Sequence, residues 1–172
     1  MPKAIPTGAF FGCTALKEVL LPDGLTEIGE EAFGDNTALE KLSIPESVTK
    51  IGAYAFWHCS HAALSLSIPD SVTEIGINAF EETSWLKGQT AQWLTVGEGV
   101  LIRYNGEETS VTLPEEVRFL SNAFDQNDHV KEVTLPSSLL GVAADAFGES
   151  SVEKVHYSGE NEAIQKAVEN LL

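Results

Sequence analysis

Residues 39–60 read LEKLSIPESVTKIGAYAFWHCS, and the same pattern of apolar residues returns along the chain. Each copy starts with spaced apolar residues, passes through a proline and two further apolar positions, and closes on an Ala-Phe pair. Repetition at about 23 residues is typical of a solenoid, in which each unit buries its apolar face only against its neighbours. The closing phenylalanines are Phe33, Phe56, Phe80, Phe124 and Phe147, and a half copy that begins at Ile5 ends at Phe10.

The first residues of each copy predict a β-strand. Leu39–Ile44 shows a strand pattern, with alternation of polar and apolar residues from Lys41 on, and the proline that follows ends the strand because it has no N–H to donate. Equivalent strands of successive copies are expected to stack in parallel at about 4.8 Å per turn. The charges favour this register, since Glu18 falls beside Lys41 and Glu132 beside Lys154. The sequence therefore predicts a β-rich repeat solenoid with parallel stacked strands.

Two segments depart from the repeat. An irregular turn at about residues 86–108 contains Asn105-Gly106, a turn signal between two β-rich runs. In residues 158–172 apolar side chains recur at helical spacing and predict a short helix that caps the C-terminal end of the core. We expect these segments to belong to a single domain covering residues 1–172. The apolar stripe of the helix consists of Ala163, Ile164, Ala167, Val168 and Leu171.

The repeat unit resembles the BspA-type leucine-rich repeat of bacterial surface proteins. The proline, the Ala-Phe pair and the Cys or Asn that follows recur in phase, and the resemblance covers nearly the whole chain. Residues 99–114, GVLIRYNGEETSVTLP, also resemble the hairpin-bearing variant turn of such proteins. The resemblance implies a leucine-rich repeat fold, an extracellular or cell-surface location, and a role in adhesion and protein–protein interaction. Function transfers less well than fold, because repeat scaffolds serve many partners.

The composition excludes several classes of partner. The formal net charge is -16, from 26 acidic and 10 basic residues, with no cluster of Lys and Arg. Nucleic acid is therefore not expected as a partner, since its backbone is bound through such clusters. Membrane insertion is not expected either, because no run reaches the roughly 20 apolar residues of a span. No signal peptide is recognisable, so a surface location implies a signal and an anchor outside this sequence. The acidity serves solubility or, alternatively, steers a basic partner.

The two cysteines share one position of the repeat. Cys13 and Cys59 each follow a repeat phenylalanine by three residues. Small hydrogen-bonding residues at this position predict a buried column that satisfies backbone groups of the turns. Two turns place the cysteines about 10 Å apart, beyond the roughly 7 Å Cα separation that a disulfide allows. We expect both thiols to be buried, free and unreactive in the native protein. The other members of the column are Asn36, Thr83, Asn127 and Ser150.

No catalytic or metal-binding pattern is recognisable. The chain lacks a G-x-S-x-G elbow, a Walker loop and a G-x-G-x-x-G loop. Residues 57–61, WHCSH, offer two histidines and one inward cysteine, fewer ligands than zinc needs. His58 is expected in an acidic column, because Asp35 and Glu82 hold the equivalent positions of adjoining turns. We therefore expect no enzyme activity, no cofactor and no bound metal.

Aromatic residues collect after the repeat phenylalanines. Phe11 and Trp57 flank Gly34 in the first three turns, Tyr54 lies nearby, and further tryptophans fall in the irregular turn. These rings either cover exposed backbone and pack the irregular turn, or anchor a protein partner, as aromatic hot spots do. The candidate partner-binding residues are Phe11, Tyr54, Trp57, His58, Trp85 and Trp93.

The sequence favours a non-catalytic, protein-binding scaffold of a bacterial adhesin-like surface protein. A structural spacer that presents another domain is one alternative, and a carbohydrate-binding module using Trp57, Trp85 or Trp93 is another. The strand that should precede the first half copy is absent, which leaves Leu16–Leu21 at an open edge. We expect the chain to come from a longer array with repeats upstream, and to self-associate weakly through its N-terminal turn.

Overall fold

Short parallel strands, two for each turn of the chain, form the first part of the protein. The computed structural model describes residues 3–170, and the chain divides into two compact units, Met1–Gln89 and Thr90–Leu172. In chain order, the first unit contains β1 (Ala4–Ile5), β2 (Glu18–Leu20), β3 (Glu27–Ile28), β4 (Lys41–Ser43), β5 (Lys50–Ile51), β6 (Ser65–Ser67), β7 (Glu74–Ile75) and the four-residue helix α1 (Ser84–Lys87).

Within residues 3–170, each strand of the first unit pairs with its equivalents in neighbouring turns. One parallel sheet has the order β1-β3-β5-β7, and the other has the order β2-β4-β6. Glu18 lies opposite Lys41, and the Lys41 Nζ–Glu18 Oε1 distance is 3.1 Å. The register predicted from the charges is therefore confirmed, as is the parallel stacking of the repeats.

A ladder of stacked phenylalanine rings runs through the first unit. Ring centroids are 5.2 Å apart between Phe10 and Phe33 and 5.6 Å apart at each of the next two steps, to Phe56 and Phe80. Neighbouring rings are within 6° of parallel. Phe33 and Phe56 are fully buried. The repeat phenylalanines therefore join successive turns into one core.

A glycine after the isoleucine of β3, β5 and β7 lets neighbouring turns approach closely. A Cβ atom added to Gly52 would lie 2.5 Å from the backbone nitrogen of Glu30, and one added to Gly76 would lie 2.4 Å from that of Ala53. At this spacing the N–H of Gly52 donates to the carbonyl of Ile28, with an N···O distance of 2.7 Å. The Ile-Gly dipeptide thus sets the distance between turns.

The predicted polar column satisfies backbone groups inside the first unit. Asn36 Nδ2 donates to the carbonyls of Phe10, at 2.8 Å, and Phe33, at 2.6 Å. Cys59 Sγ donates to the carbonyl of Phe33 at 3.1 Å. Thr83 Oγ1 donates to the carbonyl of Phe80, in its own turn, at 2.7 Å. Each side chain replaces water as the partner of a buried carbonyl.

The prediction that both thiols are buried is wrong for Cys13. Cys59 is buried and Cys13 is exposed, and both are free. Asn36 and Cys59 each lie against the carbonyl of the turn before them. Among residues 3–170 no turn packs on the outer side of Cys13 within the first unit, so the same repeat position is uncovered there.

We therefore expect the two thiols to react very differently with a thiol reagent. Burial raises the pKa of the Cys59 thiol to about 11, with a smaller rise from the charge of Asp35 and an opposing hydrogen bond from Asn36. At pH 8 on the order of one Cys59 thiol in a thousand is then ionised, and the thiolate is the reactive form. Native Cys59→Ser protein, which keeps Cys13, should label within minutes. Native Cys13→Ser protein, which keeps Cys59, should label at least about a hundredfold more slowly. After unfolding it should label fully. Fast labelling of native Cys13→Ser protein would contradict the buried column.

The second unit repeats the same design after an irregular start. Its elements are β8 (Trp93–Val96), β9 (Val100–Tyr104), β10 (Ser110–Thr112), β11 (Phe119–Leu120), β12 (Glu132–Leu135), β13 (Gly141–Val142), β14 (Lys154–Tyr157) and the helix α2 (Glu162–Glu169). One sheet has the order β13-β11-β9-β8 and the other the order β10-β12-β14. All neighbours are parallel except β8 and β9, and Glu132 lies opposite Lys154 as predicted. Both units are therefore leucine-rich repeat β-solenoids, and their union in a single domain stays a prediction.

The hairpin of the irregular segment turns at a different place from the Asn-Gly signal. Strands β8 and β9 form an antiparallel hairpin whose loop contains Gly97 and Gly99, both with positive φ (57° and 75°). Asn105-Gly106 instead connects β9 with β10, which belong to different sheets. Two glycines, which adopt positive φ without a Cβ penalty, therefore make the reversal of the hairpin, and the Asn-Gly signal marks the connection that follows it.

The C-terminal helix closes the second unit as predicted. Asn161 Oδ1 accepts the N–H groups of Ala163 and Ile164, which caps the start of α2. Ile164 is buried in the core that contains the stacked pair Phe124 and Phe147, and Val168 packs against that core. Ala163 is exposed, so it is not part of the buried stripe. Leu171, also assigned to the stripe, lies outside the described residues.

Candidate partner-binding surface

The loops around each repeat phenylalanine of the first unit form regular columns on one surface. In each loop the residue after the phenylalanine donates its N–H to the carbonyl three residues earlier, as Trp57 does to Tyr54 at 3.0 Å. Adjacent loops are joined by Gly12 N–H to Gly34 carbonyl and by Asp35 N–H to Trp57 carbonyl, both at 2.8 Å. Equivalent residues of the first three turns therefore lie side by side.

Gly34 is the centre of an aromatic cluster. A Cβ atom added to Gly34 would lie 2.9 Å from Cδ2 of Phe11 and 3.4 Å from the carbonyl oxygen of Tyr54. Phe11 thus covers the backbone of Gly34, yet 45% of Phe11 remains exposed. Tyr54 and Trp57 are half-buried. We call Phe11, Gly34, Tyr54 and Trp57 the aromatic surface.

Several residues of these loops have a left-handed backbone conformation. Tyr54 has φ 54° and His58 has φ 57°, and the residues at the same positions one turn earlier, Glu31 and Asp35, have φ 54° and 58°. Positive φ is uncommon outside glycine and is a genuine outlier for a bulky side chain such as tyrosine. Hydrogen bonds on both sides, including Tyr54 N–H to Ile77 carbonyl at 2.9 Å, hold this conformation.

His58 is paired within an acidic column, as its repeat position predicts. Its Nδ1 lies 2.8 Å from Asp35 Oδ1. One turn on, Lys87 donates a hydrogen bond to Glu82 at 2.9 Å, and this bond and the lysine charge lower the pKa of Glu82. His61 points elsewhere, with Nε2 3.8 Å from Glu40 Oε1. In the described part of the chain, His, Cys, Asp and Glu form no group of three that could hold a metal ion.

The remaining two candidate residues pack inside their own units. Trp85 lies 5.2 Å from Phe80 and ends the phenylalanine ladder. Trp93 lies 4.4 Å from Tyr104 and packs against the core of the second unit. The structure therefore groups Phe11, Tyr54, Trp57 and His58, and gives Trp85 and Trp93 packing partners instead.

A hydrogen-bonded cluster in the second unit was missed by the sequence reasoning. The hydroxyl of Tyr104 and the amide of Gln92 both donate to the carboxylate of Glu108. The pKa of Tyr104 is raised, chiefly by burial, and the hydrogen bond from Tyr104 lowers the pKa of Glu108. Because both carboxylate oxygens already accept hydrogen bonds, the cluster fixes the loop that follows the hairpin. The repeat pattern could not have predicted this cluster, because its residues lie in the irregular segment.

Comparisons with known proteins place the repeat in a family. The family model described as "BspA type Leucine rich repeat region" matches in six copies, at residues 2–95 and 65–168. No curated protein matches the chain. Within residues 3–170, no helix has the length and apolar character of a membrane span.

Similar solved structures are bacterial. A leucine-rich cell surface protein of Faecalibacterium prausnitzii is 23% identical (TM-score 0.38; 91% of this chain, 58% of that chain). The pneumococcal vaccine antigen PcpA is 21% identical (TM-score 0.44; 90% and 48%). A leucine-rich repeat protein of T. pallidum is 20% identical (TM-score 0.45; 98% and 76%). The chain thus spans about half of the first two solved proteins.

Proposed function

Because the chain belongs to the BspA-type leucine-rich repeat family, we propose that it is a non-catalytic, protein-binding scaffold of a bacterial cell-surface, adhesin-like protein. The observation that carries the proposal is the aromatic surface. Large aromatic residues that remain accessible are enriched among interface hot spots, since they bury much area and lose little side-chain entropy on binding.

The rigidity of the aromatic surface supports this role. Tyr54 keeps a left-handed backbone that its neighbours hold by hydrogen bonds, and Trp57 follows it on the same loop. The same left-handed backbone recurs at Glu31 and Asn78, the equivalent residues of the adjoining turns, so the repeat itself fixes the conformation of these loops. A fixed surface also avoids the cost of ordering loops on binding.

We expect Trp57→Ala to abolish capture of the partner while leaving the fold intact. Trp57 is half-buried and outside the phenylalanine ladder, so its loss should cost about 1 kcal/mol or less of unfolding free energy. Truncation of an aromatic hot spot commonly costs about 2 kcal/mol or more of binding energy, about a thirtyfold change in Kd.

The measurement compares proteins captured by wild-type chain, by Trp57→Ala and by Leu140→Ala, followed by calorimetric titration of any protein captured. Leu140 is an exposed apolar residue of the second unit (47% exposed) and serves as the matched control. Capture that survives Trp57→Ala but not Leu140→Ala contradicts the proposal, as does a large loss of stability in Trp57→Ala. Capture of glycans alone would favour the carbohydrate-binding alternative, and no specific capture would favour a spacer.

A second proposed property is weak self-association through the first turn. Leu20, on the edge strand β2, is 84% exposed, and Phe10 is 38% exposed at the end of the ladder. Leu16 and Val19 are only partly buried, although their counterparts in the next turn are fully buried. Open strand edges with apolar side chains readily recruit another strand.

Light scattering across a concentration series should therefore show an average mass that rises toward that of a dimer as the protein concentration rises. Leu20→Lys should remove the dimers, since edge lysines discourage strand addition. Leu140→Lys serves as the control and should leave them unchanged. A strict monomer throughout the series would disprove self-association.

A further inference from the structure

Charge is distributed unevenly between the loops and the strands of the first unit. The loops around its repeat phenylalanines, residues 6–14, 29–37, 52–60 and 76–84, contain no Lys or Arg. Lys41 and Lys50 instead lie on strands and pair there, Lys41 with Glu18 at 3.1 Å and Lys50 with Glu27 and Glu74 at 3.7 Å each, while Lys87 of α1 pairs with the loop residue Glu82 at 2.9 Å. The carboxylates of the loops are Glu30, Glu31, Asp35, Glu81 and Glu82.

Two of these carboxylates, Glu30 and Glu31, lie in the loop that contains Gly34 of the aromatic surface, and neither has a salt bridge to Lys or Arg among residues 3–170. Both residues are exposed. Glu31 holds the position of Tyr54 one turn earlier, and its carbonyl accepts the N–H of Gly34 at 3.0 Å. Asp35, by contrast, is paired with His58.

We propose that the partner presents a cationic segment, with Arg or Lys side chains beside an apolar residue, to the aromatic surface. This inference rests on the proposed protein-binding function and adds the chemistry of the partner. The apolar residue would pack on Phe11 and Trp57, while an ammonium or guanidinium group lies over the face of an aromatic ring and pairs with Glu30 or Glu31. Cations favour the negative face of a ring, most strongly in tryptophan, and guanidinium forms bidentate hydrogen bonds with carboxylates.

Charge complementarity separates this partner from a neutral or acidic one. A neutral apolar partner would bury Glu30 and Glu31 without compensation, which is costly for a charged group. An acidic partner would be repelled both locally and by the net charge of -16. A cationic partner compensates the charges of Glu30 and Glu31 when they are buried, and it is attracted by the net negative charge of the chain. The same attraction steers it toward the surface over longer distances.

The test uses two synthetic peptides, acetyl-Gly-Arg-Leu-Arg-Gly-amide and acetyl-Gly-Gln-Leu-Gln-Gly-amide, titrated into the whole ¹⁵N-labelled chain. The arginine peptide should shift the amide signals of Glu31 and Gly34 and the indole signal of Trp57. Its Kd should be at least about threefold lower than that of the glutamine peptide, and added salt should remove the difference.

Matched double variants identify the carboxylates. Glu30→Gln with Glu31→Gln should abolish the preference for the arginine peptide. Glu46→Gln with Asp70→Asn removes the same charge from two other exposed positions of the unit and should leave the preference intact.

Each outcome decides between the two proposals. Equal binding of both peptides at the aromatic surface overturns the cationic partner and leaves the proposed function standing. Shifts spread over other acidic residues, or no shifts at Gly34 and Trp57 with either peptide, overturn the cationic partner and count against the aromatic surface as the binding site. A preference that survives the Glu30 and Glu31 substitutions overturns the assignment of those carboxylates.

Discussion

Phe56→Ala is expected to lower the free energy of unfolding by about 3–5 kcal/mol, the usual cost of removing a buried aromatic ring. Phe56 is fully buried and stacks on Phe33 and Phe80, with 5.6 Å between ring centroids on each side. Its removal leaves a cavity that two adjoining rings line. Since a solenoid is stabilised by contacts between nearest neighbours, the loss weakens two interfaces between turns at once.

Urea denaturation followed by circular dichroism measures this effect, with Phe10→Ala as the matched control. Phe10 has the same repeat position but only one stacked neighbour and is 38% exposed. Its replacement should cost about half as much or less, because more than a third of the residue stays in contact with water and only one ring stacks on it. Equal losses in the two variants would show that the ladder is not a source of cooperation between turns.

Gly52→Ala is the second substitution with a large expected effect, a loss of about 2–3 kcal/mol from overpacking. The added methyl group would lie 2.5 Å from Glu30 N and 2.7 Å from Gly29 C, both backbone atoms of the preceding turn. Backbone cannot rotate away as a side chain does, so the two turns must separate. Separation stretches the hydrogen bond from Gly52 N–H to the Ile28 carbonyl, now 2.7 Å.

Gly34→Ala provides the control, because it adds the same methyl group at another close contact of the same unit. There the nearest atoms are Cδ2 and Cε2 on one edge of the Phe11 ring, and this side chain is partly exposed and can rotate away. Thermal unfolding should show a loss below about 1 kcal/mol for Gly34→Ala and a clearly larger one for Gly52→Ala. The reverse order would disprove the role given to the Ile-Gly dipeptide.

The candidate surface could be predicted where the residues share a repeat phase. Phe11, Gly34 and Trp57 hold one repeat position, and equivalent positions of adjacent turns must lie side by side in a stacked solenoid. Trp85 and Trp93 lie in the segment without a repeat, so no phase fixed their neighbours. Their packing on Phe80 and Tyr104 depends on the path of that segment in space.

The sequence by itself determined the repeat length, the parallel register, the phenylalanine ladder and the capping helix. Each of these follows from contacts between a residue and its equivalents one turn away, so one copy of the pattern specifies the next. The tertiary structure alone decided the exposure of Cys13, the hairpin turn at Gly97 and Gly99, and the cluster of Tyr104 with Glu108. Burial at a repeat position requires a turn on both sides, and an irregular loop takes its conformation from contacts that no periodicity encodes.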